Sequence, residues 1–124
     1  MKYQATVQRE FCAAHALRLP DGSLEPRHGH NWRVWVTVMR GELDELETVM
    51  DFHRLETGLD AVLAPWHNAD LNEQPTFRHG GYNPSAERVG QAIAEALMPT
   101  LPAGVTLHSV RVSEAPGCTA TILP

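Results

Sequence analysis

Polar and apolar residues alternate at both ends of this chain and fall into helical spacing in its middle. In residues 3–15, Ala5, Val7, Phe11, Ala13 and His15 share one parity while Gln8 and Glu10 take the other, the period of a half-buried strand. Arg9 interrupts the apolar side. The turn-forming run Leu19-Pro20-Asp21-Gly22-Ser23 leads to a second expected strand, residues 30–40, rich in Val, Trp and Thr. Its Trp32, Val34, Val36 and Val38 lie on the face that also takes His28 and His30. Gly41 and the acidic run from Glu42 to Glu47 read as a solvated connection.

Asp51 is placed to cap a helix over residues 52–63, whose Leu55, Leu59, Val62 and Leu63 make one apolar stripe, weakened slightly by Gly58. Residues 64–82, with Pro65, Pro75, Gly80 and Gly81, read as loop. A second helix is expected from Asn83-Pro84, with Asn as cap and Pro at the first position. Its buried stripe is Ala86, Val89, Ile93, Ala96 and Leu97, and Pro99 and Pro102 close it. Two further strands follow, residues 106–115 and 119–123. The order ββααββ segregates strands from helices. It predicts an α+β fold, a four-stranded antiparallel sheet with two helices on one face.

Composition narrows the function classes. A length of 124 residues with 43% hydrophobic content predicts one globular domain. The net charge is −5 and Lys and Arg do not cluster, so no nucleic-acid partner is expected. No apolar run approaches the length of a membrane span, and none is expected. Met1-Lys2-Tyr3 runs directly into the alternating pattern, which predicts a cytoplasmic protein without a leader. Cys12 and Cys118 make no disulfide framework and read as two reduced thiols.

Chemistry concentrates in His15, His28 and His30, three of the seven histidines. Imidazole is the commonest side-chain metal ligand, and three of them with an open position make a catalytic zinc arrangement. The alternative is a polar cluster without metal. Near the C-terminus, His108, Val110, Val112 and Glu114 share a parity. A carboxylate ending an apolar face either reaches solvent or meets the donors of a bound ligand.

Phe11-Cys12-Ala13-Ala14-His15, His28-Gly29-His30-Asn31-Trp32, Val49-Met50-Asp51-Phe52, Asn83-Pro84-Ser85-Ala86-Glu87 and Val110-Arg111-Val112-Ser113-Glu114 occur in order along nearly the whole chain. Together they resemble the 6-pyruvoyl-tetrahydropterin synthase family, whose bacterial members include 6-carboxytetrahydropterin synthases of the queuosine pathway. The resemblance implies the T-fold, in which subunits pair edge to edge into a trimeric barrel and two trimers stack as a homohexamer. It implies that His15, His28 and His30 hold Zn2+ and that Glu114 binds the amidine-like edge of a small-molecule pterin. A carboxylate suits that edge, because it accepts two parallel N–H bonds. Ser85 stands where the family usually has Thr, so it is either a substrate-binding hydroxyl or a plain helix-start hydroxyl.

The proton-transfer positions depart from the family. Leu24 occupies the place of the synthases' cysteine, four residues before His28. In Trp66-His67-Asn68-Ala69-Asp70-Leu71-Asn72, the family's Asp and His become His67 and Asn68. Asn68 cannot titrate, so His67 is either a displaced acid/base or a loop packing residue. Glu25, three residues before His28, is the compensating candidate. It resembles the glutamate of a type III subgroup that cleaves the dihydroneopterin side chain on the way to folate. Glu25 is a base, a fourth ligand that closes the zinc, or a solvated loop residue, and Arg27 is placed to pair with it. Three readings follow. The first is a zinc-dependent pterin side-chain lyase using Glu25 and His67. The second is a 6-carboxytetrahydropterin or 6-pyruvoyl-tetrahydropterin synthase with a rebuilt relay. The third is a pterin-binding homologue without synthase activity.

Overall fold

A computed structural model describes residues 1–124. Strands β1 (Tyr3–His15) and β2 (His28–Arg40) form a long antiparallel hairpin in which Tyr3 faces Arg40, Phe11 faces Trp32 and His15 faces His28. The expected alternation holds. Val7, Phe11, Ala13 and His15 of β1 and Trp32, Val34, Val36 and Val38 of β2 are buried on one face. Arg9, the interruption on that face, reaches past its edge to pair with Glu56 and Asp60, both at 2.7 Å.

Helices α1 (Phe52–Leu63) and α2 (Ala86–Leu97) cover this face. Asp51 caps α1 by accepting from the His53 N–H, and Leu55, Leu59 and Leu63 are buried as the spacing predicts, with Val62 half-buried. Helix α2 packs tightly on the sheet. Gly90 is buried there, and a Cβ at that position would run into Ile122 and Val112. Strand β4 (Thr106–Ala115) pairs antiparallel with β2, and β5 (Cys118–Ile122) pairs antiparallel with β4.

The structure corrects several boundaries. The sheet has five strands, ordered β3-β1-β2-β4-β5, because residues 64–82 contain a two-residue strand β3 (Ala69–Asp70) parallel to Ala13 and Ala14. Strand β2 starts at His28, because His15 supplies it a ladder partner. Helix α2 starts at Ala86. Its cap is Ser85, whose hydroxyl accepts from the Arg88 N–H at 3.2 Å, while the Asn83 amide is engaged with Arg18. Ala96 is exposed, and Ala92 and Ala94 are buried in its stead. In β4 the register shifts opposite Thr37 and Val38, so Leu107, rather than His108, joins Val110 and Val112 on the buried face.

Candidate metal centre

The helix-covered face of the β1–β2 hairpin is apolar along its middle and ends in three imidazoles. His15 is 2% exposed, against the edge of Trp32 at 4.9 Å between ring centroids, and His30 meets the same indole at 5.7 Å. The Trp32 indole N–H donates to the Ala13 carbonyl, which fixes this floor. Ligand nitrogens of His15, His28 and His30 all lie within 4.8 Å of one another.

Backbone carbonyls set the direction of two of these rings. His15 Nδ1 donates to the Pro84 carbonyl at 2.7 Å, and His28 Nδ1 donates to the Pro26 carbonyl at 2.8 Å. A carbonyl only accepts, so in each neutral ring the Nε2 presents a lone pair. Those two Nε2 atoms face each other at 3.1 Å. The Nε2 of His30 is buried without a partner. Two opposed lone pairs and an orphaned third ring nitrogen are unfavourable alone and suit a shared cation. Zinc at 2.0–2.1 Å from tetrahedral nitrogens would hold them about 3.3 Å apart. The donor set therefore fits a metal ion. Burial pushes the His30 pKa down, the neighbouring imidazoles add to that, and the charges of Glu114 and Glu25 oppose it.

Glu114, in β4 where the register shifts again, stands with Oε2 3.6 Å from His15 Nε2. It rims two clefts. One of about 760 Å³ opens on the sheet face away from the helices and also touches His30, Arg33, Trp35 and Arg111. The other, about 170 Å³, brings Glu114 together with Ser85, Leu17 and Cys118. Ser85 thus shares a cleft with Glu114 while its hydroxyl is engaged as a helix cap.

Glu25 is held on the Leu17 peptide, two residues after His15, and its charge opposes the lowering of the His30 pKa; it is outside the group of three mutually close donors. Its Oε1 accepts from the Leu17 N–H at 3.0 Å, and its own N–H donates to the Leu17 carbonyl at 3.0 Å. The expected pair with Arg27 does not form. Arg27 instead binds Asp70 at 2.8 Å, which ties residues 16–27 to β3. Leu24 is 48% exposed.

His67 is not brought to the histidines within this chain. It follows α1 in a left-turning loop, where Asn68 has φ 58 and donates to the Cys12 carbonyl. The His67 Nδ1 accepts from the Cys12 N–H at 3.2 Å, on the edge of β1, in a separate cleft with Arg9 and Asp60. Sequence reasoning missed Asn72 as part of the site and gave Asn83 a different task. Both hold the backbone just after His15. The signal available was their place in the two Asn-bearing motifs, Leu71-Asn72 and Asn83-Pro84.

Comparison with known proteins agrees with this fold. The 6-pyruvoyl tetrahydropterin synthase family model matches residues 4–124. A probable 6-carboxy-5,6,7,8-tetrahydropterin synthase of Halobacterium salinarum is 30% identical over 122 residues, covering 87% of this chain and 78% of that protein. Among solved structures, 6-pyruvoyl tetrahydropterin synthase of Caenorhabditis elegans superposes with TM-score 0.85 at 22% identity, over 100% of this chain and 96% of the other. The Plasmodium vivax enzyme superposes with TM-score 0.80 at 19% identity, over 98% and 97%. Two variant structures of the Plasmodium vivax protein replace a glutamate, described as its catalytic residue, with alanine and with cysteine. By its length of match and its relatives, this chain belongs to the 6-pyruvoyl tetrahydropterin synthase family.

Proposed function

We propose that this protein is a zinc-dependent lyase that cleaves the side chain of a dihydroneopterin-type pterin, with Glu25 as the base. The observation that carries the reading is the Glu25 carboxylate, which the Leu17 peptide, two residues after His15, holds by Oε1, while Leu24 occupies the place of the family's cysteine. The catalytic glutamate of the Plasmodium vivax relative supports a carboxylate in that role.

His15, His28 and His30 would hold the zinc, which when bound supplies electrostatic stabilisation for negative charge on a side-chain hydroxyl oxygen. Glu114 would accept the two N–H bonds of the pterin's 2-amino-pyrimidine edge. Glu25 Oε2 removes the proton of the side chain's second hydroxyl. That carbon becomes an aldehyde as the bond to the first side-chain carbon breaks, and the bond's electron pair passes into the ring. The carbon left on the ring is then protonated, with Glu25 returning its proton. Glycolaldehyde and 6-hydroxymethyl-7,8-dihydropterin leave, and the atoms balance without an oxidant.

Ser85 belongs to the substrate cleft in this reading, through the wall it shares with Glu114. We place the enzyme as a cytoplasmic homohexamer, supported by the open edge of β5 and by the outer edge of β1, which β3 covers only at Ala13 and Ala14. Edge-to-edge pairing would carry His67, on the β1 edge, toward a neighbouring protomer's site, where it acts as a second acid/base.

The Halobacterium salinarum relative favours a second reading, a 6-carboxytetrahydropterin synthase with a rebuilt relay. One assay separates the two. Zinc-loaded protein is incubated with 7,8-dihydroneopterin and with its triphosphate, and the pterin products are identified. Glycolaldehyde with the hydroxymethyl product supports the lyase. A 6-carboxy or 6-pyruvoyl product from the triphosphate supports a synthase. Pterin binding without turnover, unchanged in Glu25→Gln, refutes both.

A further inference from the structure

Immediately after His15 the chain runs extended, and its peptides point alternately to two sides. On one side, Asn72 grips Ala16 at both ends of the side-chain amide: Oδ1 accepts from the Ala16 N–H at 2.8 Å and Nδ2 donates to the Ala16 carbonyl at 2.7 Å. Asn83 grips Arg18 in the same way, at 2.8 Å and 3.1 Å. On the other side, the intervening Leu17 exchanges two bonds with Glu25, one to its backbone N–H and one from the Leu17 N–H to its carboxylate. The Arg18 guanidinium adds bonds to the carbonyls of Phe77, Gly81 and Tyr82.

We propose that Asn72 and Asn83 are positioning residues for Glu25, acting through the Leu17 peptide. This rests on Glu25 being the base. The two amides do the work of a missing neighbouring strand. A carboxamide offers one donor and one acceptor at the spacing of a peptide, so each residue replaces one rung of a ladder. With the peptides of Ala16 and Arg18 held on one side, the Leu17 N–H has one direction left, toward Glu25 Oε1. That choice leaves Oε2 as the free oxygen. The same rod begins at His15, so the amides also fix Glu25 in relation to the first imidazole. A small displacement of a base from its proton is costly, about a hundredfold in rate for 1 Å.

The test is a mutant cycle on zinc-loaded protein with 7,8-dihydroneopterin. Asn83→Ala lowers kcat by about ten- to a hundredfold, with KM changed by less than about twofold and zinc stoichiometry unchanged. Asn72→Asp keeps the acceptor for the Ala16 N–H but sets a carboxylate oxygen against the Ala16 carbonyl in place of the donor, and it too lowers kcat. Glu25→Gln removes the base, and adding Asn83→Ala to it produces no further loss, because the amide acts only through that carboxylate. Hydrogen exchange at the amides of Leu17 and Arg18 is read in parallel and speeds up in Asn83→Ala. Faster exchange with unchanged kcat, losses that multiply in the double variant, or zinc lost from both Asn variants would overturn the positioning role. Full kcat in Glu25→Gln would instead remove the base assignment itself.

Discussion

Strand β2 is bracketed by two loops of similar length, residues 16–27 and residues 41–51, and they differ in how much distant side chains support them. The second is held from within. Asp44 accepts from the N–H groups of Leu46 and Thr48 and from the Thr48 hydroxyl, and Glu47 takes the positive φ of 61 that closes the turn. The first has inner bonds of its own, between Leu19 and Ser23 and between Leu17 and Glu25, and is held from far away as well. Its clamps are Asn72, 56 residues beyond Ala16, and Asn83, 65 residues beyond Arg18, with Asp70 gripping Arg27. A self-contained turn needs only to connect. A loop that carries Glu25 and leads into His28 must hold its position against other elements, and the chain commits side chains from β3, the following turn and the segment before α2 to that end.

The strongest break of this contrast is at the proposed metal site. His28→Ala removes one of the three proposed ligands and opens the end of the first loop. The expected loss of zinc affinity exceeds the 10–100-fold typical of losing an outer partner of a ligand. Metal analysis after dialysis and turnover of dihydroneopterin both read it. No change at residues 41–51 should accompany it, which hydrogen exchange checks. Retention of stoichiometric zinc would sink the ligand assignment.

Next in size is Arg18→Ala. The guanidinium donates to the Phe77 and Tyr82 carbonyls at 2.7 Å each and to Gly81 at 3.3 Å, joining the first loop to the segment before α2. Its loss leaves those carbonyls without their charged donor and costs about 2–3 kcal/mol of stability, measured by chemical denaturation. A change under about 0.5 kcal/mol, the usual range for an uninvolved surface site, would show that the first loop does not depend on this distant support.

The same division explains what the sequence made legible. Helix α1 and strand β1 have the boundaries their spacing predicts, because Asp51 and the alternation from Tyr3 to His15 are local signals. The three histidines were also legible, since a shared parity on neighbouring strands brings His15 and His28 together by register. Asn83 was misread as a helix cap because a capping residue and a backbone clamp look identical in one dimension. Only the fold shows that Arg18 takes the amide and that Ser85 takes the cap. His108 was misplaced because one extra residue in β4 reverses parity, and a bulge leaves no local trace. Arg27 and Glu25 are close in sequence, yet Asp70 offers Arg27 the better partner across the fold.

Ser85 tests that reading more gently. Ser85→Ala removes the cap and costs about 1 kcal/mol of stability. Its hydroxyl is engaged with the Arg88 N–H, so a pure cap leaves KM for the pterin unchanged, while a substrate-binding hydroxyl raises it. Steady-state kinetics beside a thermal melt separates the two roles in the cleft that Ser85 shares with Glu114.

The smallest effect belongs to the self-contained loop. Hydrogen bonds from Thr48, first from its backbone N–H and then from its hydroxyl, hold the Asp44 carboxyl below the usual carboxylate range. A depressed folded-state pKa adds stability that is present above the unfolded value and is lost as pH falls through the folded one. The contribution is therefore complete at neutral pH and disappears below about pH 4. Asp44→Asn removes this dependence and keeps one acceptor oxygen for Thr48, so its melting temperature at pH 7 falls slightly and its acid-side decline is shallower than that of the unaltered protein. Zinc content and turnover stay as they are, because the hydrogen-bond partners of the Asp44 carboxylate are Leu46 and Thr48 within its own loop. A loss of either would mean that the two loops communicate along β2, and their separation into a connecting end and a working end would fail.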